Sequence, residues 1–141
     1  MCISEKEDEL DRKFLDAAKD NSFENMKLFL EKGANVNIMD DSAVMYACVN
    51  GNKEMLEFLF KNGANIHAVS ERGLRISCWY NHIDVIKFLI QNGANVSVNE
   101  NEAFFVALFN NNIEIAMILK KNGAKITDET IRRYKFMFGT K

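Results

Sequence analysis

Two histidines and three cysteines are the side chains in this 141-residue chain best suited to metal or nucleophilic chemistry. Cys78 and His82 stand four apart, the spacing that places two zinc ligands on one helical face. A metal needs more, and no other Cys/His pair has ligand spacing. Asn81 is also expected to end a helix between the two. His67 falls in a loop, and His82 falls in a column of helix-capping residues. Cys48 and Cys78 occupy equivalent buried positions in adjacent units, about 10 Å apart by helix packing, which is too far for a disulfide. Neither a Gly-rich phosphate loop nor a Gly-x-Ser-x-Gly elbow is present. The acid pairs Glu7/Asp8 and Asp40/Asp41 read as solvated surface. The chemistry on offer therefore predicts no enzyme, no cofactor and no metal.

The elements that position these residues are set by a repeat. Gly33-Ala34-Asn35-Val36, Gly63-Ala64-Asn65-Ile66, Gly93-Ala94-Asn95-Val96 and Gly123-Ala124-Lys125-Ile126 follow one another at a constant interval of 30 residues. A constant period of this size marks one supersecondary unit that cannot bury its apolar face alone, so neighbours must stack into a solenoid. Within each unit, residues 13–32, 43–62, 73–92 and 103–122 fit two short helices.

Columns 30 apart give the reasons. The first helix carries apolar Phe14, Val44, Leu74 and Phe104, then small Ala17, Ala47, Ser77 and Ala107, and beside them Ala18, Cys48, Cys78 and Leu108. Spacing of three and four is the helical period, and small residues let helices approach. Asn21, Gly51, Asn81 and Asn111 suit a left-handed stop. Ser22, Asn52, His82 and Asn112 follow as N-caps, with Glu24, Glu54, Asp84 and Glu114 in the first turn of a second helix. That helix is apolar at Met26, Leu56, Ile86 and Ala116, and at Phe29, Leu59, Leu89 and Leu119. Gly33, Gly63, Gly93 and Gly123 end it. Before residue 12 the sequence is charged and aperiodic, and a frayed or helical extension of the first repeat is expected. After Gly123, Thr127-Asp128-Glu129 opens a last helix through Phe138, with Tyr134, Met137 and Phe138 in the columns of Leu74, Ser77 and Cys78.

Units such as Asn81-His82-Ile83-Asp84-Val85-Ile86-Lys87-Phe88-Leu89-Ile90-Gln91-Asn92-Gly93-Ala94-Asn95-Val96 resemble the ankyrin-repeat family over residues 12–138. The resemblance implies an all-α solenoid of stacked helix-turn-helix units in a single domain, 1–141. Its repeats fall at about 8–36, 37–66, 67–96 and 97–126, with a capping helix at about 127–138. It also implies a concave face, made by first helices and loop tips, that binds protein partners. The family unit is longer, at about 33 residues, and includes Thr-Pro-Leu-His, whereas this chain has no proline. The shortfall lies at Met39–Ser42 and the equivalent segments 69–72 and 99–102. The β-hairpin fingers should therefore be stunted, as in short-unit ankyrin proteins of large DNA viruses and some protists.

The columns that vary point to the contact surface. The end of the first helix gives Lys19, Val49, Trp79 and Phe109, flanked by Asp20, Asn50, Tyr80 and Asn110; one turn earlier stand Leu15, Met45, Arg75 and Phe105. Met45/Val49, Arg75/Trp79 and Phe105/Phe109 are i,i+4 pairs sharing a helix face. The expected partner-binding set is Met45, Val49, Arg75, Trp79, Tyr80, Phe105, Phe109 and Asn110. Trp and Tyr are rich in binding hot spots, and Lys19 in the column of Trp79 argues that this column is wet. Phe105 divides between core and contact, and Arg75 over Trp79 reads equally as a cation–π pair. An aromatic pocket at Trp79, Tyr80 and Phe109, for a small molecule or peptide tail, is the alternative to a protein partner.

A net charge of −2 gives the chain no general attraction for nucleic acid or anionic membrane. No apolar run is long enough to cross a bilayer, and the first nine residues are too acidic and polar for a secretory signal. Odd, unpatterned cysteines predict reduced thiols and a cytoplasmic location. Lys120, Lys121, Lys125, Arg132, Arg133 and Lys135 form a basic end opposite acidic Glu5, Glu7, Asp8, Glu9 and Asp11. A monomer is expected, with weak head-to-tail association that salt would reverse.

Overall fold

The computed structural model describes residues 3–139, without the side chains of Ile3, Ser4, Met137 and Phe138. Among these residues it is all helical: α1 (Ile3–Lys19), α2 (Phe23–Glu31), α3 (Ile38–Asn50), α4 (Lys53–Lys61), α5 (Ala68–Trp79), α6 (Ile83–Gln91), α7 (Val98–Phe109), α8 (Ile113–Lys121) and α9 (Asp128–Phe138). The first helices pack in chain order, α1 on α3, α3 on α5, α5 on α7 and α7 on α9, each with its second helix folded back beside it through α8. The Phe14, Val44, Leu74 and Phe104 column is buried, as are Met26, Leu56, Ile86 and Ala116. The stop column is left-handed as its residue types require: φ is 56° at Asn21, 64° at Gly51, 61° at Asn81 and 56° at Asn111. Asn52 and Asn112 cap α4 and α8 by accepting from the amides of Met55 and Ile115.

The shortened segments do not project at all. Each becomes a single left-handed turn of three residues near the start of a first helix: Met39-Asp40-Asp41, Val69-Ser70-Glu71 and Asn99-Glu100-Asn101. Side chains in this conformation cost about 1–2 kcal/mol each, so something must hold the turn. The third residue of each does so. Asp41 is buried rather than solvated surface, which corrects the reading of the Asp40/Asp41 pair. Its Oδ1 accepts from the Asn65 amide at 2.8 Å and from Asn37 Nδ2 at 2.7 Å. Glu71 Oε1 accepts from the Asn95 amide at 2.8 Å, and Asn101 Oδ1 from the Lys125 amide at 2.9 Å. In α1, which runs straight through this position, Asp11 accepts from the Asn35 amide at 2.6 Å. A second row reinforces the first. Asn37 Nδ2, His67 Nε2 and Ser97 Oγ donate to the carbonyls of Gly63, Asn92 and Gly123 in the next unit.

Stop and cap columns are also coupled between neighbouring units. Asn52 Nδ2 donates to Asn21 Oδ1 and Asn112 Nδ2 to Asn81 Oδ1. Between them the pair is Gly51 with His82, whose side chain forms no cap bond. The His82 Nε2 instead donates to the Val49 carbonyl at 2.9 Å. A Cβ at Gly51 would fall 2.4 Å from the His82 ring. Gly51→Asn should therefore cost about 1–3 kcal/mol through overcrowding, although Asn fills this column elsewhere. Adding His82→Asn should recover most of that loss in urea unfolding, by recreating the Asn–Asn pair. No recovery would show that the two positions are independent.

Cys48 and Cys78 are free and buried, and burial pushes both thiols up to about 12 from an ordinary value of 9.0. A thiol held protonated in the folded state stabilises it fully below about pH 9, and that stability is lost as pH rises from 9 towards 12. Cys48→Ala, a residue this column already accepts at Ala18, should flatten the fall of melting temperature across that window. An unchanged alkaline slope would contradict the assignment.

Candidate partner-binding face

Residues at the ends of α3, α5 and α7 converge because the joints hold these helices in register. Trp79, 49% exposed, ends α5, and its ring stacks on Phe109 of α7 with centroids 6.1 Å apart and planes 12° from parallel. Asn110 Nδ2 donates to the Trp79 carbonyl at 2.8 Å, tying α7 to the end of α5. Tyr80 is 52% exposed and stacks on His82 at 6.1 Å. Met45 and Val49, one turn apart on α3, are half-buried. Trp79, Tyr80, Phe109 and Asn110 are thus brought together, with Met45 and Val49 on the adjoining helix.

Two expected contact residues are used differently. Phe105 is only 6% exposed, edge-on to Phe104 at 5.6 Å and stacked with Tyr134 of α9 at 5.2 Å. It therefore belongs to the core, because α9 packs over it. Arg75 does not lie over Trp79 as a cation–π partner. Its Nη1 donates to both carboxylate oxygens of Glu102, at 3.3 and 3.1 Å, and Nη2 reaches the Val69 carbonyl at 3.5 Å. The guanidinium clamps α5 to α7. A cation–π contact does form at Lys27, 4.4 Å from the Phe23 ring centroid.

Sequence reasoning missed a third column, Asp16, Tyr46, Ile76, Val106 and Phe136. Tyr46 and Ile76 are half-buried, each one turn before Val49 and Trp79, Val106 is buried in the core, and Phe136 of α9 is 89% exposed. The signal was available, since Asp16 opens this column as Lys19 opens that of Trp79. Exposed apolar side chains also occur on second helices, at Leu28, Phe60, Ile113 and Met117. There the aromatic contacts, Phe23 with Phe58 and Phe60 with Phe88, are edge-to-face packing between successive units. Met137 and Phe138 fall outside the described side chains.

A row of paired helices, locked unit to unit and presenting one aligned face, defines a helical-repeat scaffold. Two sequence models of one family match it, ankyrin repeats (3 copies) over residues 14–70 and ankyrin repeat over residues 74–101, between them more than half the chain. The chain belongs to the ankyrin-repeat family. No curated protein matches it. Among the described residues, no helix is long and apolar enough to cross a membrane.

The two aromatic positions should separate cleanly in stability measurements. Trp79→Ala removes an exposed stacking pair worth about 0.5–1.5 kcal/mol, whereas Phe105→Ala should cost about 3–5 kcal/mol. The emission of Trp79, the only tryptophan, should be red-shifted and open to acrylamide. A blue, unquenched spectrum or equal losses for the two variants would refute this division.

Proposed function

We propose that this chain is a non-enzymatic docking module that binds one protein partner through the inner face of α3, α5 and α7, as a blocker or adaptor. Ankyrin repeats are generally protein–protein interaction modules, and this chain is one of them. The observation that carries the reading is the Trp79–Phe109 stack: two aromatic rings, half in water, held in place by packing across α5 and α7. Aromatic rings fixed before binding lose little side-chain freedom on association and supply large apolar area. Val49, Met45 and Tyr80 extend the contact, and Asn110, its amide already bonded to backbone, borders it. The parallel rings lie too close to admit a third between them, which favours an open contact with a protein over a small-molecule slot. Buried reduced thiols and a slight negative charge fit a monomer working in the cytoplasm without nucleic acid.

Capture from an extract of native host cells, with quantitative comparison of variants, tests this. Any protein retained by the wild-type chain should drop at least about tenfold with Trp79→Ala plus Phe109→Ala, as expected for a pair of hot-spot residues. Met117→Ala, on the opposite side of the helix pairs, should retain it in full. Equal retention by all three would remove the inner face as the docking surface.

A further inference from the structure

Charge is unevenly satisfied around the aromatic stripe. On α5, Arg72, Ile76 and Trp79 are spaced i, i+4 and i+7, so all three lie along one helix face. Asp40 and Asp41 line the same surface hollow as Arg72, Asp41 bonded to the Asn65 amide and Asp40 open to water, and neither forms an ion pair with it. Glu71 is buried against the Asn95 amide and His67, Glu102 holds Arg75, and Glu100 pairs with Arg133 of α9. Arg72 is exposed and forms no ion pair among the described residues. On α9, Arg132 stands in the column of Arg72 and Lys135 in that of Arg75. Both are exposed and equally unpaired, with Phe136 beside them. Asp128 and Glu129 stay in the first turn of α9, where carboxylates favour the helix N-terminus, and form no ion pair with either cation. The face thus carries apolar Ile76, Trp79, Phe109 and Phe136, flanked by unspent cations on α5 (Arg72) and α9 (Arg132 and Lys135), with the Arg75–Glu102 pair between them. At α1 the same columns carry both signs, Arg12 and Lys19 beside Asp16 and Asp20, all exposed.

We propose that the segment this face takes is an acidic amphipathic helix, its apolar side on Trp79 and Phe109 and its carboxylates against Arg72, Arg132 and Lys135. The proposal rests on the reading of this face as the docking surface. From α5 to α9 is two helix spacings, about 20 Å, so the segment needs about 13 residues at 1.5 Å each. Complementary charge at a partly exposed rim fixes which partner and which orientation, more than how tightly it holds.

The test uses three synthetic 18-residue helices with one shared Leu/Phe face, whose other face is glutamate, lysine or glutamine. Binding to the full chain is followed by Trp79 emission and by anisotropy of a labelled peptide. The glutamate helix should bind at least about tenfold tighter than the lysine helix, as three rim ion pairs together allow. That advantage should shrink between 50 and 500 mM salt. Arg72→Glu plus Arg132→Glu, both at exposed positions, should reverse the preference with the melting temperature unchanged. Lysine or glutamine helices binding as well as glutamate would overturn the acidic partner. If their binding still disappears with Trp79→Ala, the docking face itself stands. Binding of any helix that ignores Trp79→Ala would overturn the docking face too. If no helix binds, the helical partner is wrong, and the capture comparison alone decides the docking face.

Discussion

Each joint of this solenoid turns on one hydrogen bond between a polar side chain and a backbone amide 24 residues further on. Asp11, Asp41, Glu71 and Asn101 reach the amides of Asn35, Asn65, Asn95 and Lys125 in turn. Apolar columns of Ala, Ser and Cys let first helices approach, but smooth surfaces of this kind tolerate sliding. A directional bond does not. Leaving the buried acceptor of Asp41, Glu71 or Asn101 unpaired would cost about 1–3 kcal/mol, so the bond offsets part of the strain of about 1–2 kcal/mol that each left-handed residue of the turn carries. In α3, α5 and α7 the turn delivers the acceptor and the bond helps to hold the turn, whereas Asp11 makes the same bond from a straight helix.

The same constraint explains the ends. α1 and α9 run straight where α3, α5 and α7 carry a left-handed turn. α1 supplies Asp11 as an acceptor without any such turn. α9 starts from a capping box in which the Thr127 side chain accepts from the Thr130 amide and the Thr130 side chain accepts from the Thr127 amide. It supplies Tyr134 to cover Phe105 and Arg133 to pair with Glu100. The uncharged joint at Asn101 compensates with two bonds to Lys125, one in each direction.

What was legible in the residues followed from how many of them say the same thing. Left-handed stops were readable because Gly and Asn are nearly the only types that favour that backbone, and the core columns because apolarity recurred. The joint column was not, because Asp, Asp, Glu and Asn share nothing except an acceptor oxygen, and its partner amides lie 24 residues away. Asp41 therefore looked like one half of a surface acid pair. On the face itself, Lys19 correctly marked the Trp79 column as wet. Phe105 was ambiguous because its own column runs Leu15, Met45 and Arg75, and only the packing of α9 decides it. Arg75 was misjudged for a related reason: its partner, Glu102, lies on the next helix, so an i,i+4 view of α5 could not reveal it.

Shortening the unit has a functional consequence of its own. With no finger between units, a partner docking as proposed would meet the ends and flanks of helices rather than loop tips. The Trp79 ring stacks on a ring of the next helix, and its backbone is held by the Asn110 bond to its carbonyl, so both restrict it before any partner would arrive. Ordering costs of about 0.5–1.5 kcal/mol per flexible side chain are thereby moved from binding into folding. The exposed stack is cheap to keep in the free protein, because each ring already shields one face of the other. Aromatic side chains fixed in this way would serve the proposed docking, provided that every joint below them stays closed.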